Sequence, residues 1–156
     1  MGRIYTAQFN AVAVTAQQDF FEINVPSDAC VIIHDICLTQ VSEIGDAQEE
    51  GLAVLFKSGQ TTSGSGGTTP TAVPKELGDV AYGGTVEANN TTKATAGTIV
   101  TRHAWNWNIR IPFEKVFTPE TRPVLSPGVR ATLELATTPA DSITVSGYVT
   151  FEELGG

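Results

Sequence analysis

Val129-Arg130-Ala131-Thr132-Leu133-Glu134-Leu135, followed by Ile143-Thr144-Val145-Ser146-Gly147-Tyr148-Val149-Thr150-Phe151-Glu152-Glu153-Leu154, is the stretch that decides the fold. Val129, Ala131, Leu133 and Leu135 fall on one parity, with Arg130, Thr132 and Glu134 between them. In the second run Ile143, Val145, Val149 and Phe151 alternate with Thr144, Ser146, Tyr148, Thr150 and Glu152. Thr137-Thr138-Pro139-Ala140-Asp141-Ser142 supplies the turn between them. Alternation of period two over this length marks half-buried antiparallel strands.

The same reading extends upstream. Ile4 to Val14 is a strand with Tyr5, Ala7, Phe9, Ala11 and Ala13 expected on one face. Phe20 to Val25 is a second strand, stopped by Pro26-Ser27-Asp28. Cys30 to Val41 is apolar on both parities and calls for cover on both sides. Leu52 to Phe56 is a fourth strand. Thr98 to Ile111 is another, with Ile99, Trp105, Trp107, Ile109 and Ile111 on the parity expected to be buried. Lys115 to Phe117 and Pro123 to Leu125 are short strands. Between Gly59 and Thr98 runs a long segment rich in Gly, Thr and Pro, with one short strand expected at Thr85 to Glu87. Val73, Leu77, Val80, Tyr82 and Val86 punctuate that segment and are positioned to pin it to a surface.

Eight or nine strands with turn signals every ~8–12 residues and almost no helix predict an all-β chain. The expectation is one domain over residues 1–156, an antiparallel β-sandwich of the jelly-roll type carrying a 59–98 loop insertion. An immunoglobulin-like sandwich is the rival, opposed by the missing Cys–Trp–Cys framework.

The net charge of −8, with only 17% charged residues, argues against nucleic acid or an anionic membrane surface as partner, since both need Lys and Arg. Residues 1–20 lack the basic start and apolar run of a signal peptide, so synthesis in a cytosol is expected. Cys30 and Cys37 lie in one strand, roughly 23 Å apart at ~3.3 Å per residue and on opposite faces, and are expected to be free thiols.

No residue constellation calls for catalysis, and the chain is expected not to be an enzyme. His34 and His103 each sit mid-strand without a nucleophile motif, which reads as core or interface histidine bonded to a backbone carbonyl. Cys30, His34 and Cys37 match no zinc spacing. Asp46, Glu49 and Glu50 lack the ligand alternation of a calcium hand. Gly64-Ser65-Gly66-Gly67 lacks the Lys-Ser/Thr and helix of a phosphate loop. No metal and no cofactor is therefore expected. Asn89-Asn90-Thr91-Thr92 reads as a polar turn. Trp105 and Trp107 read as core, with a sugar platform as the alternative. A chain of sheet and loop with a Thr-rich exterior works by its surfaces. Thr68, Tyr82 and Asn89 sample the long loop as interface candidates.

The order of features resembles small jelly-roll virion proteins of tailed bacteriophages that decorate or cement capsids. The resemblance is carried by Gln8-Phe9-Asn10-Ala11-Val12-Ala13-Val14, Asp19-Phe20-Phe21-Glu22-Ile23, Leu38-Thr39-Gln40 leading to Gly45-Asp46-Ala47-Gln48-Glu49-Glu50, the Gly-Ser-Gly-Gly run, Thr85-Val86-Glu87-Ala88-Asn89-Asn90-Thr91-Thr92, Ser126-Pro127-Gly128 and Val149-Thr150-Phe151-Glu152-Glu153-Leu154-Gly155-Gly156. It implies a non-enzymatic virion protein, assembled in the host cytoplasm as a homotrimer and bound to the major capsid protein. The alternative is a carbohydrate-binding or host-recognition module on a tail or fibre, favoured if Trp105 and Trp107 are exposed.

Overall fold

A computed structural model describes residues 2–42 and 50–156. Eleven strands are formed: β1 (Arg3–Val14), β2 (Gln18–Asn24), β3 (Ala29–Gln40), β4 (Gly51–Thr62), β5 (Val73–Pro74), β6 (Thr85–Asn90), β7 (Thr95–Asn108), β8 (Phe113–Val116), β9 (Val124–Leu125), β10 (Arg130–Leu135) and β11 (Ile143–Gly155). No helix occurs among the described residues, and so none is long and apolar enough to cross a membrane.

The strands form two antiparallel sheets. One has the order β5-β1-β11-β3-β8, with β9 also on β3, and the other β6-β2-β10-β4-β7. The chain folds back on itself in nested pairs: β1 with β11, β2 with β10, β3 with β8 and β4 with β7. Four nested antiparallel pairs divided between two sheets are the eight-stranded jelly roll, with β5 and β6 inserted between the fourth pair. The fold class expected from the sequence is the one observed.

The core follows from alternation. Tyr5, Ala7 and Phe9 of β1, Val145, Val149 and Phe151 of β11, and Val31, Ile33, Ile36 and Leu38 of β3 face Phe21 and Ile23 of β2, Ala131, Leu133 and Leu135 of β10, and Leu52, Val54 and Phe56 of β4. Phe9 lies 6.1 Å from Phe20 and 5.2 Å from Phe21, ring to ring, so aromatic contacts join the two sheets.

Bulges break the alternation, and each corrects an expectation. In β1 the register slips between Phe9 and Val12, with Ala11 left-handed at φ 51°. The amide of Ala11 is turned to the Ser146 hydroxyl. Past that point Val14 is buried, while Ala11 and Ala13 are exposed, contrary to their expected face. In β3 the slip falls at His34, so Ile33 and Ile36 both point inward. Cys30 and Cys37 consequently share the outer face, opposite Leu154 and Tyr148, instead of lying on opposite faces; both are free. In β2, Phe20 is the extra residue between Asp19 and Phe21, and both phenylalanines are buried. In β7, slips against β4 leave Ile99 exposed, and Ile111 lies outside the strand on the surface, although Trp107 and Ile109 are buried as expected.

The irregular segment is also shorter than expected. Gly59 adopts φ +98° within β4, where it faces a bulge of Thr98 and Ile99 in β7, and it lies against the Thr98 carbonyl, where an added Cβ would collide. The strand therefore continues to Thr62, β7 begins at Thr95, and the insertion is residues 63–94.

Candidate functional site

The insertion lies against the sandwich and is tied down along its length by acidic side chains: Asp19 and Glu22 on a strand face that alternation alone would place in solvent, and Glu153 on the inward parity of β11. Glu22 on β2 pairs across the sheet with Thr132 on β10, both on the outer face, yet Glu22 is buried. Its Oε1 accepts from the Ser63 hydroxyl at 2.7 Å and stands 2.6 Å from Nε of Arg130. Its Oε2 accepts from the Gly64 amide at 2.9 Å and from Asn90 Nδ2 at 3.1 Å. At the far end of the insertion, Asp19 Oδ2 accepts from the Ala94 amide at 2.7 Å. In the middle, the buried Glu153 of β11 accepts from the Gly83 amide at 3.1 Å and the Tyr5 hydroxyl at 3.3 Å, and pairs with Arg3 at 3.2 Å.

Each carboxyl group accepts hydrogen bonds from backbone amides or hydroxyls, so the acid and the insertion supply one another's partners. Glu134 completes the layer by bridging Lys57 at 2.7 Å and Lys93 at 3.0 Å. Two further backbone bridges, Ser65 with Thr92 and Thr68 with Ala88, close the insertion on itself along β6. The electrostatic cost concentrates at Asp19. Burial, with Glu134 and Glu22 close by, outweighs the Ala94 hydrogen bond and Lys93, and pushes its pKa up to about 7. Its Oδ1 is buried without a partner.

The three loop residues singled out from the sequence have different places. Tyr82 turns inward: its ring meets Phe151 edge-on at 4.8 Å and Tyr5 at 5.6 Å, and its hydroxyl donates to the Asn24 carbonyl at 3.0 Å. Burial, helped by Glu153, raises the pKa of that hydroxyl strongly. Asn89 is buried in a left-handed conformation, φ 58°, and accepts from Gln18 Nε2 at 2.9 Å. Thr68 is exposed. The structure does not bring them together as one surface patch: Tyr82 and Asn89 hold the insertion, and Thr68 alone presents its side chain to solvent.

What the insertion displays is its turn at residues 75–80. β5 pairs with β1, and the Lys75 amide donates to the Ile4 carbonyl at 2.7 Å. Asp79 N–H closes a turn on the Glu76 carbonyl at 3.0 Å, and Val80 accepts from the Tyr5 hydroxyl at 3.0 Å. On this anchored turn Leu77 is 94% exposed, with Val73 and Val80 also exposed. Arg3, Lys75, Glu76 and Asp79 line a shallow depression beside it.

The other sequence candidates serve the fold. His34 bonds Glu152 at 3.0 Å on the outer face, a carboxylate in place of the expected carbonyl. His103 stacks on Trp105 at 5.3 Å and 7°. Trp105 is half-buried against Phe113 and Phe117, and Trp107 is buried with its Nε1 donating to Ile111. No group of three His, Cys, Asp or Glu is placed to hold a metal ion among the described residues. Asp46 and Glu49 of the acidic segment lie outside the described residues; Glu50 accepts from the Ala140 amide. Sequence reading missed Asp19, Glu22 and Glu153 as the residues that position the insertion. The only available signal was an acidic residue inside an otherwise apolar run, as in Asp19-Phe20-Phe21-Glu22-Ile23.

No family model matches the sequence, and no curated protein does. Solved structures of infectious bursal disease virus are similar over 99% of this chain: the Gx strain at 14% identity and TM-score 0.20, and a T13 particle at 15% identity and TM-score 0.16. The chain spans about two fifths of the length of those viral chains, 41% and 40%. Values this low carry no weight for fold or role, so the fold assignment rests on the strand order.

Proposed function

We propose that this chain is a non-enzymatic virion structural protein of the decoration or cement kind, which binds an assembled phage head and stabilises it. The observation that carries the reading is Leu77. A leucine 94% exposed on a turn tied to β1 by the Lys75 amide at one end and by the Tyr5 hydroxyl on the Val80 carbonyl at the other is a preformed apolar contact. Its burial by a partner would require little further ordering of the chain. The insertion that displays it is held by three buried carboxylates, a substantial investment of polar groups in the rigidity of one surface segment. The resemblance of the sequence to phage decoration proteins supports the same role.

Mechanically, a rigid sandwich carries the anchored turn to a site on the major capsid protein. Ligation of the assembled shell alone stabilises it by mass action, and repetition of sites over the shell multiplies weak single contacts. The tail-module alternative is disfavoured by the aromatic residues: Trp107 is buried, and Trp105 spends its surface on His103, Phe113 and Phe117.

The test is cosedimentation of the purified chain with phage shells that lack it, followed by heating of the shells. Saturable binding with a raised shell-disruption temperature is the expected result. Absence of binding, together with retention on host envelope polysaccharide, would overturn the cement reading and move the protein to the tail.

A further inference from the structure

Four acidic side chains lie beneath or beside the insertion, and they differ in how many partners reach them. Glu22 has four: the Ser63 hydroxyl, the Gly64 amide, Asn90 Nδ2 and the Arg130 guanidinium. Glu153 has Tyr5, Gly83 and Arg3. Glu134 is bridged by Lys57 and Lys93. Asp19 is only 1% exposed and has one partner, the Ala94 amide on Oδ2, while its Oδ1 is buried with none. An ionised carboxylate offers about four lone-pair sites, all of them hydrated in water. A buried site with a single donor suits the neutral acid.

The surrounding charges give the same answer. Glu134 of β10 and Asn90 of β6 stand directly across the sheet from Asp19. On that face Glu22 of β2, Glu87 of β6 and Glu134 are linked to Arg130 of β10, Lys57 of β4 and Lys93 of the insertion, by ion pairs and through Asn90. These three carboxylates and three cations cancel, so a charged Asp19 would be the unmatched seventh. The segment over Asp19 has an anchor on one side and a pivot on the other. Thr92 exchanges two backbone bonds with Ser65, and Ala96 and Gly97 are both left-handed at the start of β7. Between them Lys93 is half-buried and Ala94 closes on Asp19.

We infer that Asp19 is a proton-operated latch: while it holds its proton the carboxyl stays closed under Ala94, and when the proton leaves, Lys93 and Ala94 lift between the Thr92 anchor and the Ala96–Gly97 pivot and let water reach the carboxylate. The insertion thereby loses one of its three acidic tethers. The direction follows from linkage. In the closed site burial, with Glu134 and Glu22, pushes the pKa up to about 7, against ~3.9 in an open, hydrated one. Opening is independent of pH below the lower value, rises by up to about ten-fold per pH unit between the two, and levels off above the upper. The latch does not rest on the virion reading.

The test is amide hydrogen exchange of the full chain at pH 5 and pH 8, with the intrinsic pH dependence of exchange divided out. Protection of the Ala94 amide should fall at least about ten-fold at the higher pH, and low urea should barely change it, as for a local opening. The Gly64 amide, held by Glu22, should change far less. On the unmodified chain the Asp19 side-chain carboxyl carbon should titrate over the same pH range as Ala94 loses protection. In Asp19→Asn the protection of Ala94 should be the same at both pH values. Equal protection at pH 5 and pH 8 in the parent chain, a loss that persists in Asp19→Asn, or a loss that follows urea in step with the core amides of β11 would each overturn the inference.

Discussion

Glu22 on β2 and Arg130 on β10 hold an ion pair of 2.6 Å on the outer face of a sheet whose inner face is the hydrophobic core. The pair is covered because Ser63, Gly64 and Asn90 of the insertion close over the same carboxylate. Glu22→Ala should therefore do two things. Removing one partner of a buried pair costs about 3–5 kcal/mol, because the other charge is left stranded. It should also release the start of the insertion, and limited proteolysis should cut between residues 63 and 72 far faster than in the parent chain. Equal cleavage rates would show that the insertion does not depend on this carboxylate.

Asp19 gives the fold a pH dependence opposite to that of a salt-bridged carboxylate. Its pKa is about 7 in the folded chain, against ~3.9 for an unperturbed Asp. Below the lower value the group is protonated in both states and costs nothing. Between the two values the unfolded chain ionises while the folded chain keeps its proton, so this contribution to stability falls as pH rises toward 7 and is constant above it. Asp19→Asn keeps an oxygen for the Ala94 amide and has no charge to bury. It should stabilise the chain by about 1–3 kcal/mol at pH 8 and change little at pH 4. Urea unfolding at the two pH values checks this; a variant less stable at pH 8 would mean that the ionised carboxylate is needed.

Two alanines sit where glycine is favoured. Ala11 and Ala96 have φ of 51° and 60°, a region that costs an L-residue roughly 1–2 kcal/mol, partly offset in any glycine variant by the entropy glycine loses on folding. Ala11→Gly and Ala96→Gly should each raise stability by about 0.5 kcal/mol. They lie in different sheets, so the double variant should be additive. A lower melting temperature for both single variants would indicate that neither left-handed conformation is adopted in solution.

Leu77→Asp separates folding from binding. The side chain touches so little of its own chain that the melting temperature should move by no more than the equivalent of ~0.5 kcal/mol. Shell binding should fall at least ten-fold, since an apolar contact becomes a buried unpaired carboxylate. A binding isotherm that matches the parent's would place the contact elsewhere on the surface.

The sandwich was legible because burial of one sheet face imposes period two on the residues, and β10 and β11 show it over nearly their whole lengths. The end of β4 was not, because Gly59 reads as a turn residue when it in fact stands within a continuing strand, opposite a bulge in β7. The same cause reversed the expected face for Ala11, Ala13 and Cys37: one extra residue in a strand inverts every position after it, and only the pairing register across the sheet reveals it.

Local sequence pattern determined the all-β class, the strand positions and most of the core, since these depend on the alternation of neighbours along the chain. Tertiary structure alone decided what the insertion does. Whether Glu22, Asp19 and Glu153 meet water or the amides of Gly64, Ala94 and Gly83 depends on contacts between residues far apart in sequence. The bare Leu77 likewise becomes visible only when every strand has found its partner.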